Sequence, residues 1–176
     1  MQEGITCIEQ EAFECCSCLS SIEIPNSVTT IEYGAFPRCS SLLSIAMPNS
    51  ITTIGRCAFY DCTSLVSIVI PNSITIIENN VFLGCSSLLM IDVPNSVTTI
   101  GTGAFCGCSS LLSITILDSV AAIERCAFFR CICLVLVDIP NRTTTIVNHN
   151  DFCACNLLDQ RQPNGSNYNP DTQTWL

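Results

Sequence analysis

Apolar side chains return to the same places along this chain every 23 residues. Phe13, Phe36, Phe59, Phe82, Phe105 and Phe128 keep that spacing, and Phe152 follows 24 residues after the last of them. Ile8, Ile31, Ile54, Ile77, Ile100, Ile123 and Ile146 recur in step with the phenylalanines. So do Cys16, Cys39, Cys62, Cys85, Cys108, Cys131 and, one place late, Cys155. Polar positions are nearly as regular, and each unit reads roughly L-x-x-I-x-I-P-N-S-[VI]-T-T-I-x-x-x-A-F-x-x-C-S-S. A chain that repeats its apolar pattern at a fixed interval is built from stacked copies of one small unit, none of which can bury its apolar face alone.

One unit predicts its own local structure. In Leu42-Leu43-Ser44-Ile45-Ala46-Met47 the residues Leu42, Ile45 and Met47 fall on apolar columns shared by the complete repeats, which predicts a short parallel strand. Pro48 ends it by removing a backbone donor, and Asn49-Ser50 supply turn chemistry. Ile51-Thr52-Thr53-Ile54 brings β-branched residues back to the core on a second extended segment. Ala58, Phe59 and Cys62 stand at i, i+1 and i+4, the spacing of one helical turn. A period between about 20 and 29 residues with this Leu/Ile pattern predicts a leucine-rich-repeat solenoid. The expected architecture is mainly β, with a parallel sheet on one face, extended segments and short helical turns on the other, and about seven repeats over residues 1–155. Residues 156–176 lose the period and turn polar around Pro163-Asn164-Gly165 and Asn169-Pro170, so an irregular or disordered tail is expected there.

The words IPNSVTTI, AF-x-x-C and CSSLLSI stand at 24–31, 35–39 and 39–45 and recur down the chain. With them the sequence resembles the BspA-type leucine-rich repeats found in surface proteins of bacteria and some protists. The resemblance covers residues 5 to about 155, and implies a right-handed solenoid with roles in adhesion or protein binding. It departs from the pattern at Leu117-Asp118-Ser119, which lacks the proline, and at 147–151, where an extra residue precedes Phe152. The regular stack is therefore expected to fray after Ile146.

Composition narrows the partners. Fifteen Asp and Glu against six Arg and Lys give a formal charge of −9, which repels phosphate backbones and anionic lipid heads; nucleic acid is not an expected partner. Although 48% of the residues are apolar, they are interspersed: a run such as Ile132–Val137 falls far short of the roughly 18 residues that cross a hydrocarbon core. Insertion into a membrane is not expected. Residues 1–5 show neither a basic flank nor an apolar stretch of the secretory kind, and the first repeat starts without its leading strand. Compartment stays open, and self-association through uncapped ends, or a place within a longer repeat protein, are both expectations of that start.

Fifteen cysteines raise metal and disulfide readings. Seven are the ladder residue after A-F-x-x, where a small apolar side chain packs against the layer above. Ladder neighbours carry parallel Cβ vectors, which is poor bridge geometry, and the other eight mostly occupy different columns. Cys15-Cys16-Ser17-Cys18 contains one C-x-x-C, without the second pair or histidine that zinc requires. His149 is the only histidine and sits in the 147–151 irregularity, where a solvated loop residue is expected. No nucleophile elbow, zinc-protease or phosphate-loop motif appears. The expectation is a non-catalytic protein with neither cofactor nor metal. Asn141-Arg142-Thr143 and Asn164-Gly165-Ser166 fit the glycosylation sequon.

The candidate site is the outer face of the predicted sheet. One column there runs Leu43, Val66, Leu89, Leu112 and Val135, apolar in five successive repeats. Beside it lie Ala46, Val69, Asp92, Thr115 and Asp138, with Met90 in the serine column between. An exposed apolar strip flanked by acids marks a protein interface; the alternative is that the column turns inward at the sheet margin. A second array, Ser27/Thr29, Ser50/Thr52, Ser73/Thr75 and Ser96/Thr98, sets hydroxyls on the other extended segment and resembles an ice-binding surface, although Ala121 interrupts it. The sequence thus points to a module that binds a protein or cell-surface ligand through its sheet face, with an ice- or surface-binding protein as the alternative.

Overall fold

A computed structural model describes residues 4–138, 145–146, 155, 168–169 and 174–175. His149, both sequons, the 147–151 irregularity and Phe152 lie outside them.

The chain winds into a coil with two short strands per turn. The first five are β1 (Cys7–Ile8), β2 (Ser21–Glu23), β3 (Thr30–Ile31), β4 (Ser44–Ala46) and β5 (Thr53–Ile54). The coil continues through β6 (Ser67–Val69), β7 (Ile76–Ile77), β8 (Met90–Asp92) and β9 (Thr99–Ile100). It goes on to β10 (Ser113–Thr115), β11 (Ala122–Ile123), β12 (Leu136–Asp138) and β13 (Thr145–Ile146). Pairing is parallel and keeps the 23-residue register: Ile22 faces Ile45, and Ile68, Ile91, Ile114 and Val137 face one another in succession. In the C-terminal segment expected to be irregular, β14 (Tyr168–Asn169) pairs antiparallel with β15 (Thr174–Trp175).

Identical residues stack inside the coil. Phe36, Phe59, Phe82, Phe105 and Phe128 are fully buried, and with the half-buried Phe13 they form one column of rings 4.8–5.6 Å apart and within 12° of parallel. Leu42, Leu65, Leu88, Leu111 and Leu134 form a second, fully enclosed column. Together with buried columns of isoleucine, valine, alanine and cysteine, they explain how a chain this rich in apolar residues hides them without a long apolar segment. No helix among the described residues is long and apolar enough to cross a membrane.

The segment around A-F-x-x-C differs from expectation: it is a run of turns, and the described residues contain no helix. Its cause is a pair of left-handed columns. Glu11, Gly34, Cys57, Asn80, Gly103 and Cys126 all have φ of 54–62°, and Cys15, Arg38, Asp61, Gly84, Gly107 and Arg130 have φ of 54–76°. Every such reversal interrupts a right-handed helix, and for a residue with a Cβ costs roughly 1–2 kcal/mol. In return the alternate N–H groups point along the stack. Those of Cys57, Phe59 and Asp61 donate to the carbonyls of Asn79, Val81 and Leu83 at 3.1, 2.9 and 2.8 Å, and the neighbouring layers repeat the pattern. Three inter-layer bonds of about 0.5–1.5 kcal/mol each offset two strained residues.

Both sheets are interrupted at one junction. No pairing joins β4 to β6 or β5 to β7, so the strands fall into separate groups on either side. Thr98 and Gly101 donate across their junction to Thr75 and Ile77 at 2.8 Å, but the equivalent bonds from Thr75 to Thr52 and from Glu78 to Ile54 are not made. Pro71 is buried, whereas Pro25, Pro48 and Pro94 are exposed or half-buried. The turn segment and the Phe59–Phe82 contact at 5.6 Å still bridge the layers. The amides of Thr75 and Glu78 should therefore exchange with deuterium faster than those of Thr98 and Gly101. Equal protection, measured by NMR, would show that the ladder closes there in solution.

Candidate binding surface

Strands β4, β6, β8 and β10 present their first and third residues outward because Ile45, Ile68, Ile91 and Ile114 point into the core. The residue preceding each strand, next to a fully enclosed leucine, decides the open question of the apolar column. Leu42 is wholly buried and Leu43 is 53% exposed; Val66, Leu89, Leu112 and Val135 are exposed as well, by 37–49%. Their backbones are joined in sequence, Val66 N–H to Leu43, Leu89 to Val66, Leu112 to Leu89 and Val135 to Leu112, at 3.1–3.2 Å. The structure thus brings five predicted residues into one exposed row.

The remaining candidates flank it. Val69 and Met90 are 78% and 64% exposed, and Ala46, Asp92 and Thr115 are also exposed. Val69, Asp92, Thr115 and Asp138 face one another across β6, β8, β10 and β12, although the side chain of Asp138 lies outside the described residues. Leu43 and Ala46 lie across the interrupted junction from the rest.

Six of the eight hydroxyls in the Ser/Thr array are spent on the fold, and that of Ser96 is buried without a partner. Thr29, Thr52 and Thr98 donate their hydroxyl protons to the carbonyls of Thr6, Thr29 and Thr75 at 3.3, 3.3 and 3.1 Å. Ser27 and Ser50 donate to Ile5 and Val28 at 2.7 Å, and Ser73 to Ile51. These side chains tie layer to layer, so each has already committed the proton an ice lattice would need.

The ladder cysteines are tied in too, in a way their column position did not announce. The thiols of Cys39, Cys62, Cys85, Cys108 and Cys131 each donate to the carbonyl of the phenylalanine 26 residues earlier, at 3.1–3.2 Å. That carbonyl also accepts an N–H three residues on, as Phe59 does from Cys62. Burial pushes the thiol of Cys39 up to about 11 and that of Cys62 to about 12, and raises Cys85 and Cys108 further. All the cysteines among the described residues are free; Cys15, Cys18 and Cys133 are exposed. No group of three metal-binding side chains occurs among these residues.

Sequence comparison agrees with the geometry. The model of the BspA type leucine rich repeat region matches residues 6–135, and again 98–168. The chain is a BspA-type leucine-rich repeat protein. Among solved structures, this BspA-type protein is similar to a leucine rich cell surface protein from Faecalibacterium prausnitzii, with 35% identity and a TM-score of 0.66 over 81% of its own length. It spans only 36% of that relative. A T. pallidum leucine rich repeat protein shares 32% identity with a TM-score of 0.75, covering 83% of this chain and 67% of that one. A leucine-rich repeat protein from Eubacterium ventriosum, 24% identical, has the same fold with a TM-score of 0.65 over 81% of this chain and 40% of its own. No curated protein matches the chain.

Proposed function

We propose that this BspA-type repeat protein is a non-catalytic module that binds a protein at a cell surface, through the sheet face. The observation that carries the reading is the row Leu43, Val66, Leu89, Leu112 and Val135, exposed in five consecutive layers. Water-facing apolar side chains in a continuous row favour burial against a partner. Asp92, exposed beside them, favours a partner with basic residues at its rim. Similarity to a relative described as a cell surface protein supports the location.

The double substitution Val66→Asp with Leu89→Asp tests it. Purified extracellular proteins are screened for binding to the wild-type chain on a biosensor, and each binder is remeasured with the variant. Loss of two central contacts should weaken binding by at least about thirtyfold, the equivalent of roughly 2 kcal/mol. Exposed positions tolerate such changes within about 0.5 kcal/mol, so the melting temperature should barely move. Unchanged affinity, or a variant that no longer folds, would exclude the row as the interface.

A further inference from the structure

On the turn side of the first three layers, away from the sheet face, lies a cleft of about 270 Å³. Gly34 is part of its lining, between Glu11 and Cys57 in a left-handed column. A Cβ at Gly34 would rest in ordinary van der Waals contact with Glu11 Cγ at 3.6 Å and Pro37 Cγ at 3.9 Å, so side chains rather than backbone surround that spot and a small side chain fits there without a clash. Tyr33, Tyr60, Glu11, Glu14 and Arg38 line the cleft as well.

Stack packing does not require these residues. Tyr33 is the only tyrosine in its column, where other layers carry Gln10, Arg56 and Asn79, and Tyr60 is the only one in its own. In a repeat protein the positions that hold layers together recur, whereas an exposed departure from the repeat is free for a separate role. Tyr33 leaves 49% of its surface to solvent. The guanidinium of Arg38 lies 5.7 Å from the centre of the Tyr60 ring.

The geometry points to this cleft as a binding site for a single neutral sugar ring, independent of the sheet-face interface. A pyranose has an apolar C–H face that lies against an exposed tyrosine, and a hydroxyl rim that both donates and accepts. Carboxylates of Glu11 and Glu14 accept from such hydroxyls and the Arg38 guanidinium donates to them. An anionic ligand would meet two carboxylates, and a cationic one the Arg38 guanidinium. The volume falls below the roughly 300–1,000 Å³ of pockets that enclose drug-sized ligands, which fits one ring rather than a buried oligosaccharide.

The experiment is saturation-transfer NMR on the full chain with methyl glucoside, methyl galactoside, methyl mannoside and N-acetylglucosamine, and separately with spermidine. At least one sugar should bind weakly, with Kd on the order of millimolar. Tyr33→Ala removes the platform. Gly34→Asn, which tolerates the left-handed backbone, adds bulk to the lining without removing any contact. Each should weaken binding by about tenfold or more, while Val66→Asp with Leu89→Asp leaves it unchanged. Amide spectra report whether each variant keeps its fold. Absence of transfer from all four sugars overturns the proposal. So does binding of spermidine alone, or sugar binding that survives both cleft substitutions in folded protein.

Discussion

Truncating Phe82 to alanine should cost about 3–5 kcal/mol of stability, a large part of the 5–15 kcal/mol that holds a typical domain together. Phe82 is fully buried and has a ring on each side, Phe59 at 5.6 Å and Phe105 at 5.5 Å. Its loss removes two stacked contacts, each worth about 0.5–1.5 kcal/mol beyond burial, and leaves a ring-sized void in the middle of the column. Because each layer touches only its neighbours, the damage sits on the coupling between the two halves of the stack. Urea unfolding should therefore become broader as well as earlier. Phe13→Ala provides the comparison: that ring is half-buried and stacks on Phe36, so its truncation should cost clearly less. Equal losses for the two variants would show that stacking continuity contributes nothing beyond area.

Raising the pH above 9 should destabilise the fold steeply. Cys39 and Cys62 have their thiols pushed up from an ordinary 9.0 to about 11 and 12 by burial, and Cys85 and Cys108 move in the same direction for the same reason. The folded state holds these protons more tightly than the unfolded state. Their contribution is therefore complete below the unfolded value near 9, and is lost as the pH rises through 11 and 12. Ionisation also removes the donor that each thiol offers to a phenylalanine carbonyl. The chain contains no lysine and arginine stays charged throughout this range, so lysine titration does not obscure the effect. Melting curves between pH 8 and 11 should show a falling transition temperature. At pH 8 the native protein should react with a thiol reagent through exposed cysteines such as Cys15, Cys18 and Cys133, the buried ladder reacting after unfolding. A flat pH profile, or native reaction of Cys62 at the rate of Cys15, would contradict this account.

The repeat, the parallel register and the identity of the core columns were legible in the sequence because identical layers demand identical residues. Leu42 and Leu43 show where legibility stopped. Both are leucine in a strand-like context, yet one is buried and its neighbour exposed, and the pattern at the strand margin left the placement of Leu43 open. The A-F-x-x-C segment shows a second limit. Ala58, Phe59 and Cys62 suit a helical turn, but the backbone reverses hand at Cys57 and Asp61, and only two of the six residues in each reversing column are glycine. Hydrogen bonds to the next layer impose that shape, so the local sequence carries little sign of it. The cleft at Tyr33 and Gly34 was missed for the opposite reason: attention to what recurs passes over the residues that do not.

The forward-pointing N–H groups of the turn segments have an evolutionary consequence. From the layer of Phe36 to that of Phe105, each gives three bonds to the layer after it and accepts three from the layer before, as Phe59 gives to Val81 while Ala58 accepts from Phe36. A duplicated or deleted block of 23 residues leaves both exchanges closed at the new joint, whereas any other length breaks them. Gene rearrangement can thus change copy number without inventing new contacts, and each added copy extends the apolar row by one side chain. Reach along a partner becomes a quantity set by counting, adjustable in single steps while the chemistry of every layer stays as it was.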